Sequence, residues 1–361
     1  MKKQHFIYTI ILYVIAVFYL ASSTPITPHE ANIFYNVPNI VSEFMHLGEG
    51  LLEGVLGLRI FFIFFGFVSL ILFYKLSQRY FTRQSDVYLA TLIFMVLPGI
   101  LTAITLANIS IIVLTLVLLF VLLYESGYRV ILIFLMLILF FIHETSVILF
   151  VALLLYGLIH KDKQLAIVAA SFLVAFIYLS KGIIISGRPS GHFVEIFGLY
   201  ATVFSPLLFI YFFYAMYRVL LREKKTLIWY ISFTAFAFSL FLSLRQRVSI
   251  ADFAPYVMIS VVIMLYTLNS SVRVRLPEFQ KRYRQGFYVV MFFLFVNLSL
   301  IILHKPLFYF FKDASSHFAY RIYKPYHLAI ELKAEGIDCY DGAHGRERFQ
   351  LRYYNITPCA N

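Results

Sequence analysis

The chain has 361 residues, of which 61% are hydrophobic and 13% are charged, whereas soluble domains run at roughly 45–50% apolar and about 25% charged. That balance excludes a soluble globular protein. Thirty lysines and arginines against 18 aspartates and glutamates leave a net charge of +12, which suits nucleic acid, anionic lipid or membrane topology, and the distribution of the charges decides among them.

Apolar blocks of the length needed to cross a hydrocarbon layer of about 30 Å recur along the whole sequence. They predict an all-α polytopic membrane protein of about eleven transmembrane helices, with spans near residues 5–22, 57–76, 87–103, 107–124, 129–142, 146–159, 164–181, 197–217, 226–243, 254–268 and 286–303. The chain is thereby expected to divide into a membrane body, 1–303, and an exterior tail, 304–361. With the N-terminus inside, the inner connections carry seventeen lysines and arginines, among them Lys75, Arg79, Arg83, Arg218, Arg222, Lys224 and Lys225. The outer loops hold five: Arg59, Lys181, Arg188, Arg245 and Arg247. By the positive-inside rule the N-terminus is expected in the cytoplasm and the C-terminus outside, which in the expected setting of a bacterial inner membrane is the periplasm. Most of the positive charge is then topological, with anionic lipid a minor partner and no nucleic acid. Lys2, Lys3, the apolar run from Phe6 to Leu20 and the small residues Ala21, Ser22 and Ser23 also resemble a signal peptide. Cleaved or kept, the segment after it lies outside.

Three exterior segments are long enough to carry chemistry. Residues 22–58 start polar and then become amphipathic, with spacings of three and four that predict helices lying in the interface plane. Residues 181–195 hold Gly187-Arg188-Pro189-Ser190-Gly191 and read as a loop. In the tail, Tyr326 to Glu335 has helical spacing with Gly336 as a C-cap, and Arg348 to Tyr354 alternates like a strand, so a small α/β domain is expected. The only two cysteines, Cys339 and Cys359, sit on the oxidising side, where a disulfide worth roughly 3 kcal/mol is the first reading. A zinc pair is the weaker alternative, because two histidines at suitable spacing do not accompany them. Asn355-Ile356-Thr357 matches a glycosylation sequon next to Pro358.

The histidines and acids carry the sharpest signal. Eight of the ten histidines (His29, His46, His143, His192, His304, His317, His327 and His344) fall outside or at the outer membrane edge. Two His-Glu pairs stand out, His29-Glu30 after the first span and His143-Glu144 at the outer end of the fifth. Ionisable groups at the edge of apolar spans usually face a protein interior or a watery cavity, so both pairs are expected to line one outward-facing cavity. Plainer readings stand beside this one. Glu30 after Pro28 suits the N-terminus of a helix, His143-Glu144 suits an interfacial cap before Thr145 and Ser146, and Arg245 and Arg247 suit lipid-surface anchors. Glu43, Glu49 and Glu53 read as the solvated face of the amphipathic segment, and His46, His192 and the tail histidines read as solvated.

The order of these features resembles the GT-C class of membrane glycosyltransferases, and within it the family that includes protein mannosyltransferases and lipid A aminoarabinose transferases. The matching strings are His29-Glu30-Ala31-Asn32-Ile33-Phe34-Tyr35, Leu58-Arg59-Ile60, Lys75-Leu76-Ser77-Gln78-Arg79-Tyr80-Phe81 and Leu97-Pro98-Gly99. They lie where that family has an acidic pair, an Arg-Leu-Pro string, a basic turn and a Ser-Pro-Gly string, and the resemblance is clearest over about the first 160 residues. Two positions depart from the pattern: the first acid of the family corresponds to His29, leaving Glu30 as the retained carboxylate, and a later acid is replaced by Asn108. Arg245-Gln246-Arg247 before Asp252, Pro255 and Tyr256 is similar to the late exterior loop that binds lipid phosphate in such enzymes.

The resemblance implies transfer of a sugar from a polyprenyl-phosphate carrier to a lipid, glycan or protein acceptor on the exterior face. Glu30 or His29 would be the base that takes the acceptor proton, since histidine serves that role as well. Arg245, Arg247 and His143, with Arg59, Glu144 and Arg188 beside them, would bind the substrate and its phosphate leaving group. Some members of the class use a divalent metal, for which His29, Glu30, His143 and Glu144 would be the mixed nitrogen and oxygen ligands. A cell-envelope polysaccharide polymerase or ligase is the alternative enzyme. A transporter or non-catalytic scaffold is the alternative outside enzymes, but the paired, interrupted spans of two related halves are missing from the sequence, and so are Walker-type and His-Glu-x-x-His strings.

Overall fold

A computed structural model describes residues 3–179, 192–311 and 313–359. Lys181, Arg188 and residues 181–191 of the expected 181–195 loop lie outside the described residues, and its last residues, Phe193 to Glu195, are the first turn of a helix instead. Among the described residues the fold is helical, with no named strand and one isolated bridge, Cys339 to Thr357. The first helices are α1 (Lys3–Ser23), α2 (Pro28–Asn36), α3 (Ile40–Leu51), α4 (Val55–Tyr80), α5 (Gln84–Val96), α6 (Pro98–Thr105), α7 (Ile109–Glu125), α8 (Arg129–Ile142), α9 (Ser146–Ile159) and α10 (Lys163–Tyr178). They are followed by α11 (Phe193–Phe204), α12 (Pro206–Arg222), α13 (Leu227–Ser243), α14 (Ile250–Met258), α15 (Val261–Arg273), α16 (Pro277–Ile302), α17 (His304–Leu307), α18 (Tyr320–Ala334) and α19 (Glu347–Tyr353).

Three helices, α1, α4 and α16, are each long and apolar enough to cross a membrane. Three of the expected continuous spans are instead broken helix pairs: α5 and α6 bend by 61°, α11 and α12 by 106°, and α14 and α15 by 44°. The first two breaks fall at Leu97-Pro98 and Ser205-Pro206, because proline lacks an N–H and clashes with a helical residue before it. Ser205 is driven to φ 78° there, outside the range most L-residues adopt. The remaining apolar helices, α7, α8, α9, α10 and α13, have 14 to 17 residues, shorter than the roughly 20 that span a bilayer without tilt or flanking turns.

The contacts group the chain into two compact units. The larger comprises Met1–Thr9, Phe65–Thr102 and Ile109–Leu298, and the smaller comprises Ile10–Phe64, Ala103–Asn108 and Ser299–Asn361. In the larger unit α9 packs against α10 and α13, α13 against α14, and α14 against α7. Those contacts bring the α8–α9 turn and the α13–α14 loop into one neighbourhood.

In the smaller unit the 22–58 segment forms α2 and α3, whose solvated face carries the exposed Glu43 and Glu49, with Glu53 exposed just beyond. The tail helix is longer than its spacing predicts: α18 begins at Tyr320 and accommodates Pro325. It ends at Gly336, φ 73°, where the Gly336 N–H donates to the Lys333 carbonyl and the Ile337 N–H to the Leu332 carbonyl. This is a Schellman cap, which needs the left-handed conformation that glycine adopts without strain.

The expected strand at Arg348–Tyr354 is a helix, α19, and the tail is therefore not an α/β domain among the described residues. Alternation over seven residues is ambiguous, and here Arg348 and Arg352, four apart, share the exposed side while Gln350 and Leu351 are buried. A lone strand would also leave its ladder groups unpaired. Leu351 joins Ala329, Leu332, Ala343 and Ile356 in a small apolar core, and Cys339 is disulfide-bonded to Cys359 with their Cα atoms 4.8 Å apart. The tail grips the segment before α2: the Gln350 amide donates to the Ile26 carbonyl at 2.8 Å, and the Ile26 N–H donates to the Tyr354 hydroxyl at 3.3 Å.

Candidate functional site

Two groups of expected site residues have defined geometry, one in each unit. In the smaller unit, Thr27 is the N-cap of α2 and Pro28 takes the first helical position, where its missing N–H is no loss. The Glu30 N–H donates to Thr27 Oγ1 at 3.2 Å, and the Thr27 N–H donates back to Glu30 Oε2 at 2.9 Å. This capping box places the carboxylate at the positive end of the helix. Arg59, on the first turns of α4, then closes on it as a fork, with Nε donating to Oε1 at 2.8 Å and an Nη group to Oε2 at 2.7 Å. The Ala107 N–H adds a bond to Oε1 at 2.7 Å.

Both partners are filled. Glu30 accepts four hydrogen bonds, about the capacity of its two oxygens. The other donors of Arg59 go to the carbonyls of Ala21 at 2.9 Å, Thr24 at 2.8 Å and Pro25 at 3.1 Å. Arg59 is 0% exposed and Glu30 1%, so Arg59 presents neither a remaining donor nor an exposed face to a phosphate. Burial by itself pushes the Glu30 carboxyl up, but the Arg59 charge, its hydrogen bonds and the N–H groups of Ala107 and Thr27 together hold it below the ordinary carboxylate value. A carboxylate so filled also offers no lone pair to a divalent metal. Among the described residues, no three His, Cys, Asp or Glu side chains converge as a metal site. His29, beside Glu30 in the same turn, is exposed.

In the larger unit the second His-Glu pair lies in an open cavity of about 520 Å³ whose wall mixes polar side chains with Ile142, Leu242, Val248 and Phe253. His143 ends α8 and Thr145 begins α9. The Thr145 N–H donates to His143 Nδ1 at 3.2 Å, and Thr145 Oγ1 lies 2.6 Å from the same nitrogen. With Nδ1 accepting, the ring proton sits on Nε2, which faces Asp252 Oδ1 at 3.6 Å. Glu144, Gln246, Arg247, Ser249 and Asp252 share the cavity wall with His143. Arg247 pairs with Glu195 at 2.6 Å, and Glu195 also meets His192 Nδ1 at 3.1 Å.

Of the expected substrate ligands, His143, Glu144 and Arg247 thus meet in one cavity, while Arg245 is exposed and absent from its wall. The sequence reading assigned no role to Asp252 or Glu195. Asp252 had a signal in the sequence, five residues beyond Arg247 in the same late loop. Glu195 had none, because its partnership with Arg247 joins α11 to a loop 52 residues later.

No protein-family model and no curated protein matches the sequence. Among solved structures, ArnT from Cupriavidus metallidurans bound to undecaprenyl phosphate is similar in fold, with a TM-score of 0.60 at 12% identity over 98% of this chain and 75% of that one. The same protein in its apo state matches with a TM-score of 0.53 at 13% identity, over 96% and 74% of the two chains. The chain therefore has the ArnT fold, the multi-pass membrane architecture that its resemblance to the GT-C class predicts.

Proposed function

We propose that the protein transfers a sugar from a polyprenyl-phosphate carrier to an acceptor hydroxyl at the exterior membrane boundary. The observation that carries this reading is the cavity of His143, Arg247 and Asp252, in a chain that shares its fold with a protein solved with undecaprenyl phosphate. In the reaction the acceptor oxygen bonds to the sugar C1 as the C1–O bond to phosphate breaks. The acceptor proton goes to a base, and polyprenyl phosphate leaves.

Arg247 and His143 are assigned to the departing phosphate, where negative charge builds in the transition state. Asp252 lies 3.6 Å from His143 Nε2 on the same cavity wall and orients the ring electrostatically. Glu144, exposed in the same cavity wall, is assigned as the base that takes the acceptor proton. Glu30 and Arg59 are assigned to holding the first turn of α2. The sugar and the acceptor are left to experiment.

The test uses the purified chain in lipid nanodiscs with radiolabelled polyprenyl-phosphate sugars and a membrane-lipid extract as acceptor. Polyprenyl phosphate should be released, and His143→Gln, Glu144→Gln and Arg247→Gln should each lower the rate by about 10²-fold or more, the scale of one positioned acid, base or anion-stabilising group. Undiminished turnover in all three variants would sink the assignment.

A further inference from the structure

A second cavity in the larger unit lies among α12, α15 and α16, with a volume of about 590 Å³. Its walls are apolar along most of their length: Leu208 and Ile210 come from α12, Met264 and Leu265 from α15, and Val290 from α16. The Tyr211 hydroxyl, which would break this surface, donates instead to the Met264 carbonyl at 3.2 Å. Arg282 is the single charged side chain in the wall. It lies on α16 in line with Gly286 and Val290, four residues apart each, so one stripe runs from a cation to an apolar end over about 12 Å.

Two further observations give the groove an occupant. Gly286 is exposed, and a Cβ built there meets nothing within 4 Å, so the groove is open along its middle. The charged end is not neutralised from within. Arg282 has no carboxylate partner among the described residues, and Arg275 stacks on Tyr283 with its guanidinium 3.6 Å from the ring centroid, adding a second cation at that end. Arg218 and Arg273, in contrast, pair with Glu223 and Asp86. Water gains little from an apolar-walled trough, while a hydrocarbon chain fills it, and an unpaired guanidinium at its mouth selects an anionic head.

We infer that this groove binds an anionic glycerophospholipid, with an acyl chain lying along Gly286 and Val290 and the phosphate head at Arg282. The lipid comes from the leaflet at the basic, Pro277 end of α16, which the charge distribution reads as cytoplasmic. The inference does not depend on the transfer reaction.

The test reconstitutes the full chain in vesicles of phosphatidylglycerol and phosphatidylethanolamine in equal parts, extracts it gently and counts retained lipids by native mass spectrometry. One phosphatidylglycerol should be retained in preference to phosphatidylethanolamine. Arg282→Ala should cut its retention about fivefold, the effect of one basic residue on an anionic lipid, and Arg282→Lys should keep most of it. Gly286→Phe, which fills open space, should abolish retention of the bound lipid. Equal retention of both phospholipids, or unchanged retention in Gly286→Phe, would overturn the inference. So would displacement of phosphatidylglycerol by polyprenyl phosphate added at equal concentration, because the groove would then belong to the carrier.

Discussion

Glu30 illustrates how a neighbour 29 residues away decides what a side chain is able to do. Alone at a helix N-terminus it would be a capping acid with a free face. With Arg59 across it and every polar atom of the pair bonded, removing one partner leaves the other buried and charged, which costs about 3–5 kcal/mol. Glu30→Gln should therefore destabilise the smaller unit by that amount in chemical denaturation, and Glu30→Gln with Arg59→Met should recover part of the loss. If the single variant unfolds like the parent, the pair is not the clamp its geometry describes. Loss of sugar transfer in Glu30→Gln is consequently no proof of a proton-transfer role. The pH dependence has a definite sign. Glu30 is held below its ordinary value of 4.5, so its contribution is complete above that value and is lost as pH falls through the lower folded value. His304 is likewise held below its ordinary 6.5, by burial first and then by the charges of His317 and Lys305, against the opposing Ile301 carbonyl. Its contribution is complete above 6.5 and declines below as the ring takes a proton in the unfolded chain. Melting temperature should fall in two acid steps, and Glu30→Gln should erase the lower one.

At the scale of elements, the tail shows which sequence signals hold. Gly336 is identified as a cap by a helical run ending in glycine, and the structure places the full Schellman bonding there. The α19 helix is missed because seven residues satisfy both periods, and only packing against α18 and α2 selects one. Cys339 and Cys359 close a loop of 20 residues, which in the chain-entropy account stabilises by about 3 kcal/mol. Replacing both by serine should lower the protection of α18 and α19 amides by roughly that free energy in hydrogen exchange, with little change in α7 or α13. An equal loss throughout would contradict the separation of the two units. The broken spans follow the same logic. Pro98 and Pro206 are visible in the sequence, but proline inside an apolar block either kinks a helix gently or ends it. The 106° turn at Ser205-Pro206 is set by what each half packs against.

For the whole molecule, charge counting predicts an orientation that is open to a direct test. Alkaline phosphatase fused after Asn361 should be active in bacterial cells, and a fusion at Arg83 should be inactive; the reverse pattern would invert the membrane reading. Long apolar blocks in a chain that is 61% hydrophobic indicated by themselves that it enters a membrane, because about 20 consecutive apolar residues are what a helix needs to cross the hydrocarbon layer. Short degenerate strings around Glu30, Arg59 and Pro98 were enough to indicate the ArnT fold, which the solved structures bear out. Pairings between distant segments were decided only by tertiary structure: Glu30 with Arg59, His143 with Asp252, Glu195 with Arg247, and Gln350 with Ile26. Periodicity reports which face of an element is apolar, whereas the partner that fills a buried polar group is chosen by desolvation, which penalises whatever is left unpaired.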